Sequence, residues 1–128
     1  LVAGPVIKVL ARTHHADTHA FSPVAVAAAG EILQATFSWH DECGTVELSA
    51  PGVTKGAALA RLLEEIGVDA ADAVAFGDMH NDLGMLELVG RGYVMADADP
   101  CLLGRGFTRI GPNDEGAVGE QILRLLDA

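Results

Sequence analysis

The stretch Ala73–Asp82 constrains this chain more than any other. An apolar run, Ala73–Phe76, stops at Gly77-Asp78, and Asn81-Asp82 follows three residues later. A short apolar run that ends in a turn reads as a buried strand. Its carboxylates then stand at the strand's carboxyl end, where open α/β sheets bind their ligands. Hard oxygen donors suit Mg²⁺, which is commonly shared between one or two carboxylates and a substrate phosphate. The same residues have a plainer use, since Asn81 or Asp82 is a good N-cap for a helix opening at Leu83.

Around this strand, helical and strand patterns alternate. Leu59, Leu62, Leu63 and Ile66 fall at helical spacing in a helix over Ala57–Ile66, which Gly67 stops. Asp82–Val89 reads as a helix with Leu83, Leu86 and Val89 inward, and Gly90 ends it. Tyr93–Ala96 reads as a strand and Pro100–Leu103 as a small helix. Phe107–Ile110 is a short strand or extended piece. Glu115–Leu126 reads as a last helix with Val118, Ile122 and Leu125 inward. Alternation of this kind predicts a parallel sheet with helices on its faces, an α/β fold.

The first part of the chain has another pattern. Pro5–Arg12 reads as a strand, the polar Thr13–Ser22 as a loop, and Pro23–Gly30 as a helix. Leu33–His40 alternates, with Leu33, Ala35, Phe37 and Trp39 on one face. It is expected to turn at Asp41–Gly44 and pair with Thr45–Ser49 as a hairpin. This is a β-α-β-β unit, antiparallel with one covering helix. Pro51-Gly52 marks the boundary, which divides the chain into residues 1–50 and 51–128.

Lys55 stands at the mouth of the helix that precedes the acidic strand end. A cation is slightly unfavourable at that end of a helix, and an anion nearby would offset the penalty. A solvated surface lysine is the alternative. His80, inside the acidic turn, reads as a surface residue rather than a catalytic acid. His14, His15, Asp17 and His19 fall in one loop and could bind a transition metal. Without rigid spacing they read better as a polar surface loop. Asn113-Asp114-Glu115-Gly116 reads as a helix start and is assigned no chemistry.

These motifs together resemble the C-terminal part of the Cof-type haloacid dehalogenase-like phosphatases. The likeness runs over about Gly52–Leu126 and rests on three segments. They are Pro51-Gly52-Val53-Thr54-Lys55-Gly56 with its helix, Gly77-Asp78-Met79-His80-Asn81-Asp82, and Met95-Ala96-Asp97-Ala98. The last departs from the family's Met-Gly-Asn-Ala. The resemblance implies a HAD-like Rossmannoid core portion over 51–128, preceded by the second half of an α+β cap over 1–50. It implies that Lys55 and Asn81 contact phosphate and that Asp78 and Asp82 serve Mg²⁺, Asp78 directly. Asp97-x-Asp99 follows a strand and imitates the family's nucleophile motif, but its position matches the Met-Gly-Asn-Ala loop instead. The nucleophilic aspartate is expected upstream, so no catalytic nucleophile is assigned here, and the chain alone is expected to be inactive.

Composition limits the partners. A net charge of −10 argues against nucleic acid or an anionic membrane as the main partner. It does not exclude a phosphorylated substrate, because a bound metal reverses the local field. The expected activity is Mg²⁺-dependent hydrolysis of a small phosphorylated metabolite through an aspartyl-phosphate. The alternative is a non-catalytic α/β module, truncated or degenerate, that binds a metabolite or a partner. Cys43 and Cys101 show no metal-ligand spacing and read as free thiols of a cytoplasmic protein. A sheet without its neighbouring strands exposes apolar edges, so a homodimer or swapped assembly is expected to be accessible.

Overall fold

A computed structural model of the chain describes residues 4–37 and 42–127. Trp39, with His40 and Asp41 of the expected strand and turn, lies outside the described residues. The chain divides between Val53 and Thr54 into two compact units.

The first unit has the β-α-β-β order expected. Its elements are β1 (Val9–Thr13), α1 (Thr18–Ala29), β2 (Gln34–Thr36) and β3 (Gly44–Ser49). The strands lie in the order β1-β3-β2, both pairs antiparallel, with Val9 opposite Leu48 and Gln34 opposite Ser49. As the middle strand, β3 is buried almost throughout, and α1 packs on it. Ala25 and Ala29 of the helix are buried, and their small side chains allow close approach. Glu47 is buried on β3 and pairs with Lys8 at 2.7 Å.

Among the boundaries that differ from expectation are the starts of α1 and β1. Helix α1 opens at Thr18 rather than Pro23, because the Asp17 carboxylate accepts the Ala20 N–H at 2.8 Å and caps it. Pro23 sits inside the helix, where it lacks only the N–H that would reach the His19 carbonyl. Strand β1 begins at Val9 rather than Pro5, because β3 ends at Ser49, one residue past the Val9 partner.

The second unit is built on a three-stranded parallel sheet. Its elements are α2 (Lys55–Ile66), β4 (Val74–Gly77), α3 (Leu83–Leu88), β5 (Arg91–Val94), β6 (Thr108–Arg109) and α4 (Ala117–Leu126). The strand order is β4-β5-β6; α3 joins β4 to β5, and turns join β5 to β6. Ala75, Leu86, Val89, Val94, Met95, Ala98 and Leu102 form its core. Phe76 and Tyr93, register partners on adjacent strands, stack at 5.3 Å.

Here too the details depart from the pattern. Pro100–Leu103 is a turn rather than a helix, since the Asp99 carboxylate takes the Cys101 N–H at 2.7 Å and the Asp99 carbonyl takes that of Leu102. Helix α3 starts one residue late, after a 3-10 turn over His80–Asp82. Strand β5 is shifted two residues toward the N-terminus, because Ala96 leaves the ladder to bond Gly111. Helix α4 starts at Ala117, because Gly116 adopts a left-handed conformation, φ 73°, after a 3-10 turn at Asn113–Glu115. Ile122 was expected inward but is 42% exposed. Ala117 is buried and Val118 packs against the core, whereas Ile122, Leu123 and Leu126 are exposed.

Candidate functional site

Strand β4 delivers its last residue, Gly77, to the point where the chain reverses into α3. A Cβ at Gly77 would stand 2.5 Å from the Asp82 Cβ and 3.0 Å from its Cγ. Only glycine lets the Asp82 side chain fold back against the strand end. So placed, Asp82 is 3% exposed, and its Oδ2 accepts the N–H groups of Asp78 at 3.1 Å and Met79 at 3.0 Å. The carboxylate closes the turn that carries the other acidic residue.

Helix α2 brings in the cation. Thr54 caps it, its hydroxyl accepting the Ala57 N–H at 3.0 Å, so Lys55 is the first helical residue. The helix can lie close to α3 because Gly56 has no Cβ; one there would stand 2.6 Å from the Gly84 carbonyl oxygen. The Lys55 ammonium pairs with Asp82 Oδ1 and reaches Asn81 Oδ1 at 3.4 Å. The anion that offsets the lysine's unfavourable place on the helix is therefore the Asp82 carboxylate itself.

Asp78 is half-buried and anchored through its backbone. Its carbonyl accepts the Asp99 N–H at 2.7 Å, which joins the turn to the loop after β5. Its carboxylate Oδ2 accepts from the Asn113 side-chain amide at 2.6 Å. The Asn113 N–H in turn donates to Asp97 Oδ1 at 3.1 Å. Lys55, Asp78, Asn81 and Asp82 thus stand together at the carboxyl end of β4, with Asn113 beside them. Sequence reasoning missed Asn113. The sequence marks it only as part of a helix start, and its contact with Asp78 spans 35 residues.

This donor set fits Mg²⁺ unevenly. Asp78 has one oxygen engaged and the other available to a cation. Both oxygens of Asp82 are engaged, one by Lys55 and one by two backbone N–H groups. Asp82 therefore suits an indirect role, through water, better than direct ligation. One direct carboxylate is a normal protein share for Mg²⁺, which keeps several waters and takes the rest from phosphate. Among the described residues no group of three or more His, Cys, Asp or Glu surrounds a cation position. The histidine loop accordingly splits: Asp17 caps α1, His19 lies within α1 edge-on to Phe37 at 6.0 Å, and His14 Nδ1 lies 2.9 Å from Cys43 Sγ. His80 is half-buried in the 3-10 turn rather than on the surface.

Among the other ionisable groups, the Cys101 thiol is pushed up from 9.0 to about 12. Burial is the main cause, and the hydrogen bond and charge of Asp99 add to it. A thiol that keeps its proton in this way is a poor nucleophile near neutral pH.

Comparison with known proteins shows the family. The model of the haloacid dehalogenase-like hydrolase family matches residues 4–122. Pyridoxal phosphate phosphatase YbhA of Escherichia coli is 36% identical over 90 residues, which are 70% of this chain and 32% of that protein. An HMP-PP phosphatase of Cronobacter sakazakii is 48% identical over 84 residues, 64% of this chain and 31% of that protein. A Streptococcus mutans crystal structure superposes with a TM-score of 0.82 at 26% identity, covering 95% of this chain and 45% of that one. A haloacid dehalogenase-like hydrolase from Bacteroides thetaiotaomicron gives 0.72 at 28% identity, covering 97% and 46%. The chain spans about a third of the length of the curated relatives it matches. The chain belongs to the haloacid dehalogenase-like hydrolase family.

Proposed function

From membership in this family, we propose that the polypeptide carrying this chain is a Mg²⁺-dependent phosphomonoester hydrolase acting on a small phosphorylated metabolite in the cytoplasm. Residues 51–128 supply the lysine-and-metal side of its core, and residues 1–50 supply part of a cap that selects the substrate. The observation that carries this is the group of Lys55, Asp78, Asn81 and Asp82 at the carboxyl end of one parallel strand. The substrate class is supported by the relatives named for pyridoxal phosphate and HMP-PP.

Each residue has a distinct task. The Lys55 ammonium, half-exposed beside Asp82, neutralises an incoming phosphoryl oxygen while Asp82 keeps it in place. The Asn81 amide donates to a second phosphoryl oxygen, where a further carboxylate would repel the anion. Asp78 would hold the metal through one oxygen, and Asp82 would act on it indirectly, through water. When bound, Mg²⁺ screens the approaching anions and stabilises charge on the equatorial oxygens. An aspartate expected elsewhere in the polypeptide attacks phosphorus and the ester P–O bond breaks; a second aspartate there protonates the leaving alkoxide and then takes a proton from the water that cleaves the aspartyl-phosphate to phosphate.

The test is hydrolysis of a panel of phosphomonoesters, p-nitrophenyl phosphate included, by the whole polypeptide that contains this sequence. Activity that requires Mg²⁺ and falls by about 10²-fold or more in Lys55→Ala and in Asp78→Asn supports the proposal. Activity indifferent to EDTA, or unchanged in both variants, overturns it.

A further inference from the structure

A carboxylate that binds a cation through one oxygen must be kept from rotating away, and a hydrogen bond to its other oxygen does this. Asp78 has such a bond from Asn113 at 2.6 Å. Asparagine at the start of a helical turn ordinarily spends its side chain on its own backbone. Asn113 opens a 3-10 turn, yet its amide reaches across to the strand end instead. Its backbone is held in turn, since its N–H donates to Asp97 Oδ1 at 3.1 Å. The two loops that carry Asp97 and Asn113 are tied a second time. The Ala96 N–H donates to the Gly111 carbonyl at 3.2 Å, and the Arg109 guanidinium donates to the Ala96 carbonyl.

The chemistry of the pair is selective. An amide donates a proton without adding charge, where a carboxylate at the same place would repel Asp78. Asp97 contributes its negative charge one step further away, where it seats the Asn113 backbone rather than the cation.

We propose that Asn113, seated by Asp97, is a positioning residue that fixes Asp78 Oδ2 and so turns the other oxygen of Asp78 toward the cation. This rests on the assignment of Asp78 as the Mg²⁺ ligand. Asp97 thereby holds the loop that holds the ligand.

The test uses the whole polypeptide, with Mg²⁺ affinity read by calorimetry in the absence of substrate. Asn113→Ala is expected to weaken Mg²⁺ binding by about 10-fold or more, with KM at saturating Mg²⁺ within about two-fold of the parent. Asp97→Ala is expected to weaken it in the same direction. Asp97→Asn, which keeps the accepting oxygen, is expected to lose less than Asp97→Ala. Thermal melts in EDTA, expected unchanged for Asn113→Ala, separate this from a folding effect. Asp78→Asn checks the underlying assignment. If it leaves Mg²⁺ affinity intact, the metal assignment itself fails. If Asp78→Asn removes binding while Asn113→Ala stays within about two-fold of the parent, the positioning role is overturned and the metal assignment stands.

Discussion

Replacing Asp82 by alanine separates two roles that the same carboxylate could play. Its Oδ2 accepts two backbone N–H groups, from Asp78 and Met79, and its Oδ1 meets Lys55. The side chain is 5% exposed, so water reaches the vacated position poorly. Leaving two part-buried N–H groups without an acceptor costs about 2–4 kcal/mol, taking the lower half of the usual range for each. The Lys55 pair adds less than about 1 kcal/mol, because the lysine is half in solvent. Asp82→Ala is therefore expected to destabilise the protein by about 3 kcal/mol. Asp82→Asn keeps an oxygen for the turn but faces Lys55 with a neutral amide, and is expected to cost about half as much. Urea unfolding of the whole polypeptide, run with EDTA and again with Mg²⁺, measures both. If Asp82 acted only through metal, the loss would appear with Mg²⁺ and vanish in EDTA. The structure predicts the larger part in EDTA as well. An Asp82→Ala protein within about 0.5 kcal/mol of the parent in EDTA would refute the turn-closing role.

Other perturbations follow from the same packing. Gly77→Ala forces a methyl against the Cβ of Asp82 at 2.5 Å, so it is expected to cost about 1–3 kcal/mol and to lower activity; both are read from urea unfolding and turnover of the purified variant. Leu102→Ala empties a side chain that is 0% exposed in the second unit's core, and about 2–5 kcal/mol of destabilisation is expected in the same unfolding experiment. Cys101 keeps its proton up to about 12 in the folded protein, whereas its ordinary value is 9.0. Its alkylation by iodoacetamide should stay slow through pH 9 in the native state and become fast on unfolding. The stability it contributes is present below pH 9 and is lost as the pH rises, because the unfolded thiol ionises first. Peptide mapping after alkylation at several pH values checks this.

Much of the second unit could be read from local pattern. The strand at Ala73–Phe76 has a run of small and apolar residues that ends in glycine, and α2 has leucines at helical spacing between Thr54 and Gly67. Both signals are short-range, and both elements form as expected. The gathering of Lys55, Asn81, Asp78 and Asp82 was also foreseeable, because a helix mouth and a strand end are brought together by the α/β alternation. What the pattern could not show is how the carboxylates are used. Asp82 was expected to cap the following helix, but its side chain makes no cap bond there and folds back on the turn, a geometry set by the missing Cβ of Gly77. The Asn113 contact is non-local and left no trace in periodicity. Helix α1 was read too short because Pro23 suggests a first turn, while Asp17, directly before Thr18, is the local cap signal that sets the start. The outward leucines of α4 fit helical spacing equally well whether covered or not, so pattern alone did not show that Ile122 would stay exposed.

The most direct measurement is where a divalent cation binds. Mn²⁺, a paramagnetic stand-in for Mg²⁺, can be titrated into the ¹⁵N-labelled whole polypeptide while backbone amide signals are followed. The account predicts that the amides of Asp78, Met79 and Asp99 broaden first, and that Asp78→Asn removes the effect. Uniform broadening, or selective broadening centred on a different segment such as the His14–His19 loop, would contradict it.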